Sequence, residues 1–352
     1  MAEPQEAIQS GPGRAAIFLV LTVGPSDADA AQVRAVCADM PGLVRSVGHR
    51  DDSAALSCVV AIGAEAWERL VPGRSRPAQL HAFRALEDGG RLAPSTRGDL
   101  LLHIRAERQD FCQELMRVTM ARLGTAVEVA DEVHGFAYMD SRDLIGFVDG
   151  TENPGGELRR AFTIVGDEDA EHAGGSYVTT QRYVTDFAAW GAVAAEAQEA
   201  VIGRTKADDI ELGDDVCPPS AHKERAKIVR DGVEQKILRH NRAFGTTRES
   251  GTFFIAYARD LSVTEEMLQR MFIADAAGVY DRLLDFSRPQ TGTNFFAPSV
   301  DVLESLADPV AAPADAAPPD AELQPSLAAS EAPAAADATL GIGSLRGTGG
   351  EL

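Results

Sequence analysis

The sequence predicts an α+β protein made of two related halves, each an antiparallel sheet flanked by helices. Two observations carry this expectation. An apolar strand-like run, an Ala-and-charge turn and an amphipathic helix occur twice in the same order, and each half carries one tryptophan after an earlier strand-like run, Trp67 and Trp190. Helices alternating with strands in this way match the ferredoxin-like arrangement, in which helices pack on an antiparallel sheet. At 352 residues the chain is long enough to give each half its own core.

The elements follow in order. "MAEPQEAIQSGPGR" (1–14) is polar, has no apolar signal core, and is expected to be a flexible N-terminus. "AAIFLVLTVG", starting at Ala15, is about half the length that a membrane helix needs, so it reads as a buried strand. "SCVVAIGAEAWERL" (57–70) is a strand followed by a helix, and "GDLLLHIRAERQDFCQELM" (98–116) is a strand, turn and helix. These belong to an N-terminal domain at 15–145. A second domain at 146–306 repeats them with "SYVTTQRYVTDFAAW" (176–190) and "GTFFIAYARDLSVTEEMLQRM" (251–271). In its last helix Leu261, Met267, Leu268, Met271 and Phe272 recur at helical spacing, with Glu265 and Glu266 turned outward. Between its paired strands the second half carries an excess at about 200–250, and an insertion in one of two sister domains is where function is sought. From 307 to 338 the chain turns to Pro, Ala and Asp with no positive charge, the composition of a disordered linker. The last stretch, 339–352, is "TLGIGSLRGTGGEL", where apolar residues return.

The net charge of -21 argues against nucleic acid or an anionic membrane surface as the main partner. The four cysteines are scattered without a CxxC, which fits reduced thiols and opposes a disulfide framework or a zinc site. A soluble cytoplasmic protein is expected.

Three stretches can carry chemistry. In "GFVDGTENP" (146–154), Asp149 sits between apolar residues and glycine, where it serves either as a general base or as a brace for the turn. In "ILRHNRAFG" (237–245), a strand would project Arg239 and Asn241 from one face and Leu238 and His240 from the other. A fixed guanidinium beside an amide suits a small oxygen species; an exposed edge strand is the plainer alternative. None of the seven histidines pairs at metal-ligand spacing, so a multi-His metal site is not expected. A single histidine can still ligate haem iron, and His222 in "CPPSAHKER" is the best placed, with Cys217 as an alternative thiolate. By spacing alone, each of these also has an ordinary structural reading.

"DSRDLIGFVDGTENP" resembles the signature of the dye-decolourising peroxidases, and of their compact bacterial B-type branch in particular. The resemblance continues through "GDEDAEHAGGSYV", "VIGRTKADDIEL", the His222 region, "ILRHNRAFG", "GTFFIAYARD" and "DRLLDFSRPQTGTNFFAPS", covering about 15–305. It implies haem b in the C-terminal domain, with His222 as the axial ligand of the iron. Asp149 would be the distal acid, completed by Arg239 and Asn241. Asp281, or Asp285 one turn on, would accept the second ring proton of His222, and Arg204 would contact a haem propionate. The charges around His222 in "PSAHKER" depart from what this branch leads one to expect.

The resemblance implies that hydrogen peroxide is the oxidant. Asp149 would move its proton, Arg239 would stabilise negative charge on the departing oxygen, and Asn241 would orient peroxide. Dyes, phenols and other aromatic electron donors would be oxidised, large ones at the surface, and Mn(II) stays open. No surface relay residue is legible. A haem- or iron-handling protein with incidental peroxidase activity is the alternative, and chlorite chemistry a minor one. Self-association into a homo-oligomer is implied as well. Finally, "TLGIGSLRG" resembles the cargo-loading peptides of peroxidases housed in encapsulin nanocompartments. Leu340, Ile342 and Leu345 would then fill shallow pockets of an encapsulin shell protein, and the enzyme would work inside that compartment.

Overall fold

The structure, a computed structural model, describes residues 2–307. The expected tail elements, including Leu340, Ile342 and Leu345, lie outside the described residues. Among the described residues, no helix is long and apolar enough to cross a membrane.

Four strands form the main sheet of the first half: β1 (Ala15–Val23), β2 (Ser57–Gly63), β3 (Leu100–Ala106) and β4 (Val127–Phe136). They lie antiparallel in the order β4-β1-β3-β2. The second half contributes β5 (Ser176–Thr185), β6 (Leu238–Arg239), β7 (Arg242–Gly245), β8 (Ser250–Ala258) and β9 (Thr293–Ala297). Here the order is β7-β8-β5-β9, with β6 also against β8. If β6 and β7 count as one interrupted strand, both halves have the same order, fourth-first-third-second. The internal repetition read from the sequence is thus present in the strand topology.

The two sheets meet at both edges. Ala243 of β7 pairs with Phe136 of β4, while Phe295 and Phe296 of β9 pair with Gly63 and Ile62 of β2. The circuit closes into a barrel. Strand alternation then gives two cores. Ala16, Phe18 and Val20 of β1 face the barrel interior with Leu101, Phe253, Ile255 and Tyr257. Ile17, Leu19 and Leu21 face outward onto α1 (Asp27–Ala38), α2 (Met40–Gly48) and α3 (Gln109–Leu123). A capping box starts α1, in which Ser26 and Asp29 satisfy each other's backbone N–H groups.

The N-terminus differs from the flexible segment expected at 1–14. Glu6–Gln9 is helical and Ile8 is fully buried in the barrel core. The Gln5 side chain donates to the Val60 carbonyl and accepts from the Val60 N–H at 2.8 and 2.9 Å. Arg105, inside the barrel, donates to the carbonyls of Ala7 and Gly11. A polar sequence is held here because one apolar residue and several backbone carbonyls fill the end of the barrel and satisfy a buried guanidinium.

In the second half, α4 (His222–Ala226) packs against α5 (Leu261–Phe272), whose Leu261, Met267, Leu268, Met271 and Phe272 are all buried. The long excess segment at about 200–250 ends in β6 and β7, so it supplies both a helix and a strand beside one cavity.

Candidate active site

A cavity of about 330 Å³ lies in the second half. Asp149, Arg204, His222, Arg239 and Asn241 all line it, and Asp281 stands directly behind His222.

His222 is the first residue of α4, entered from a turn at Cys217-Pro218-Pro219. Its Nδ1–H donates to Asp281 Oδ2 at 2.6 Å, and Asp281 is fully buried. The other Asp281 oxygen accepts the Leu283 N–H at 2.9 Å, so this carboxylate caps the short helix Arg282–Asp285 and is fixed in place. Asp285, the alternative partner, instead accepts from Tyr280 and Arg282 at the surface. Cys217 does not line the cavity, and burial together with Glu224 pushes its thiol up, against a thiolate ligand. The charges of "HKER" are accounted for: Lys223 pairs with Glu211 and Glu224, and the buried Arg225 with Asp275 and the Arg270 carbonyl.

Asp149 sits at the end of a looped segment, 139–150. Its N–H donates to the Ser141 carbonyl, and Gly150 follows at φ 80°, a conformation that favours glycine and turns the chain sharply. Trp190 supports the segment from behind by donating from its indole to the Ile145 carbonyl at 3.0 Å and packing with Phe147.

Arg239 and Asn241 project to the cavity, while Leu238 and His240 are buried with the barrel, as strand alternation requires. The ladder is modified here. The Ile255 N–H donates to the Asn241 side-chain oxygen at 3.2 Å. With its oxygen committed, the amide presents Nδ2 to Asp149 Oδ1, also at 3.2 Å. Arg239 is held through its main chain: Asn153 donates to its carbonyl at 2.8 Å and accepts its N–H at 2.9 Å. The Asn-Pro that ends "GFVDGTENP" therefore fastens the loop of Asp149 to the strand of Arg239. The Arg239 guanidinium itself has no ion pair among the described residues.

Arg204 lines the cavity, but its guanidinium is engaged by Asp209, Glu211 and Glu152. A propionate would have to share it with three carboxylates. The sequence reading also missed Asp143. This further cavity carboxylate accepts from the Ile145 N–H and from the Thr252 hydroxyl. Burial raises its carboxyl above the ordinary range, the Thr252 hydrogen bond opposes this, and the nearby Asp149 charge adds to it. Spacing could not have flagged it, because Thr252 lies 109 residues away.

The residues fit a haem. The walls are apolar at Phe254, Met267, Leu268, Met271 and Leu283, and His222 keeps Nε2 as its only nitrogen without a protein partner. A ring nitrogen in an apolar cavity, with its other nitrogen donating to a buried carboxylate, is the donor set of an axial imidazole. Among the described residues, no group of three His, Cys, Asp or Glu could hold a bare metal ion.

Family models described as "Dyp-type peroxidase, N-terminal" and "Dyp-type peroxidase, C-terminal" match residues 5–137 and 140–302. A dye-decolorizing peroxidase of Mycolicibacterium paratuberculosis is 49% identical over 337 residues, 95% of this chain and 90% of that protein. A variant of DypB from Rhodococcus jostii RHA1, solved in complex with heme, superimposes with a TM-score of 0.84 at 51% identity, over 87% of this chain and 99% of that one. The encapsulated DyP-type peroxidase from Mycobacterium smegmatis gives 0.84 at 47% identity, over 89% of this chain and all of that one.

Proposed function

Since the chain belongs to the Dyp-type peroxidase family, haem enzymes that act on peroxide, we propose that it is a B-type member whose cavity holds haem b on His222 Nε2. The observation that carries this assignment is the meeting in one cavity of the His222–Asp281 pair with the Asp149–Asn241–Arg239 group. Bound there, the haem supplies an iron centre that takes two oxidising equivalents from peroxide and returns them singly to donors.

This chain's residues have separate tasks. Asp281 draws on the Nδ1–H of His222 and so makes Nε2 a stronger donor. Asp149 takes a proton from one peroxide oxygen and gives it to the other. Asn241, whose oxygen is committed to the backbone, holds Asp149 by its Nδ2. The Arg239 guanidinium, without an ion pair among the described residues, offers a fixed positive charge to the departing oxygen. Asp143 lies beside Asp149 as a second proton-holding group. Dyes, phenols and other aromatics are the donors.

The same division into domains at 15–145 and 146–306, followed by a linker to 338, fits this reading, with a homo-oligomer in the cytoplasm as its setting. The terminal "TLGIGSLRG", with Leu340, Ile342 and Leu345, is the segment that would dock in an encapsulin shell, and the M. smegmatis relative described as encapsulated supports the idea. A linker of this length would let the enzyme work while its end is bound.

The test is turnover. Purified haem-loaded protein should oxidise a simple phenol many times per molecule with peroxide and keep its haem. Haem that passes readily to an acceptor protein with negligible turnover would sink the reading. Removing 339–352 should leave turnover intact and abolish co-purification with a co-expressed shell protein; loading that survives the deletion would refute the address.

A further inference from the structure

Donors larger than the cavity cannot reach its interior, so their electrons must enter through the protein. Side chains that carry single electrons at such potentials are tyrosine and tryptophan, and this chain has five and two. A phenol that loses an electron becomes strongly acidic, so a tyrosine relay needs a base in contact with its proton, whereas an oxidised indole holds its proton more firmly and need only reach the surface.

These requirements select among the seven. Trp67 and Trp190 are buried and cannot meet a donor at the surface, and Tyr183 donates to the amide oxygen of Gln181, which takes no proton. Tyr138 and Tyr177 have no acceptor for their hydroxyl among the described residues. Two phenols remain. Tyr257 is fully buried in the barrel, 2.7 Å from His103 Nδ1. Tyr280 is at the surface, and its hydroxyl donates to Asp285 Oδ1 at 2.9 Å.

Only Tyr280 also joins the outside to the cavity. The next residue in the chain is Asp281, whose carboxylate receives the Nδ1–H of His222. The route from phenol to cavity wall is thus covalent bonds plus one hydrogen bond of 2.6 Å. We infer that Tyr280 is the point at which large aromatic donors deliver electrons to this enzyme, with Asp285 as its proton acceptor. The inference rests on the peroxidase reading above.

The step balances. The peroxide-oxidised enzyme takes one electron from Tyr280, and the O–H bond breaks as its proton passes to Asp285 Oδ1, leaving a neutral phenoxyl radical. A donor at the surface then gives one electron, and the proton returns from Asp285 to the phenol oxygen. Overall the donor is oxidised by one electron, the enzyme is reduced by one, and Tyr280 is restored. The Arg91 guanidinium lies 3.8 Å from the centre of the Tyr280 ring and Arg282 lies at 5.6 Å. Two cations over a ring oppose a cationic radical, so electron loss here must be coupled to proton transfer. Burial and the Asp285 carboxylate hold the Tyr280 phenol above its ordinary pKa, which keeps that proton in place until the electron leaves.

The test uses full-length haem-loaded enzyme, as wild type, Tyr280→Phe, Asp285→Asn and Tyr257→Phe. Two readouts are needed: the electron paramagnetic resonance signal after one equivalent of peroxide, and rates with a bulky anthraquinone dye and with a small phenol. Tyr280→Phe should remove most of the tyrosyl signal and slow the dye by about tenfold or more, with phenol and peroxide consumption within about twofold. Asp285→Asn should lower the radical yield. The inference is overturned if Tyr280→Phe keeps the dye rate, or if the signal disappears in Tyr257→Phe instead. A wild type that fails to consume peroxide would remove the peroxidase reading itself, and the inference with it.

Discussion

The Nδ1–H of His222 donates to Oδ2 of Asp281 over 2.6 Å, and the other oxygen of that buried carboxylate is held by the Leu283 N–H. The pair therefore has one orientation, with Nε2 free. Asp281→Asn keeps the size of the group and removes its charge. The variant should bind haem but show a higher iron reduction potential and a peroxide rate lower by about 10–100-fold. Potentiometry with optical detection checks this; an unchanged potential would mean that Asp281 serves only to cap its helix.

Asp149 and Arg239 reach the cavity from different elements, fastened to each other by Asn153 and Asn241. Asp149→Ala and Arg239→Ala should each lower the second-order rate of peroxide consumption, by roughly 10²–10⁴-fold for the acid–base residue. Stopped-flow mixing with peroxide gives the rate directly. Two variants that match wild type would leave the distal assignment without support.

Asn153 makes two hydrogen bonds to the Arg239 backbone and does not line the cavity. Asn153→Ala leaves a carbonyl and an N–H without these partners, at a cost of about 1–3 kcal/mol. It should lower the urea midpoint and also slow peroxide consumption, because Arg239 loses its anchor. A loss of stability with peroxide kinetics intact would show that the clamp is structural only.

Asp143 supplies a pH dependence with a definite sign. Its folded-state value is raised, chiefly by burial. Its contribution to stability is therefore complete below the unfolded carboxyl value of about 3.9 and is lost as pH rises through the folded value. Asparagine stays neutral throughout. Asp143→Asn should gain stability relative to wild type as pH is raised across that window, measured as the difference in urea midpoints. A difference that stays flat would show that the native protein carries the Asp143 charge without penalty.

Much of this site was legible because its strongest signals are local. "GFVDGTENP" holds a carboxylate, the glycine that turns the chain after it and the asparagine that anchors the loop, all within nine residues. Arg239 and Asn241 are two apart, so strand alternation alone puts them on one face. The choice between Asp281 and Asp285 was not legible, since both precede or end the same short helix. Packing decided it: Asp281 is buried behind His222, while Asp285 turns outward to Tyr280 and Arg282. The resemblance puts Arg204 at a propionate, yet acids at 152, 209 and 211 already surround it.

By itself the sequence determined the repeated strand-and-helix plan and pointed to the second half as the home of the site, because these follow from periodicity and from short motifs; the residues that meet there were implied by the resemblance those motifs carry. Only the tertiary structure decided what depends on distant partners. It closed two sheets into one barrel through single edge pairings, seated Ile8 and the first carbonyls in its end, and placed Thr252 against Asp143. It also put Tyr280 outside the wall where Asp281 stands inside. Hydrogen bonds between residues a hundred positions apart leave no period and no spacing in a sequence; they exist only once the chain has packed.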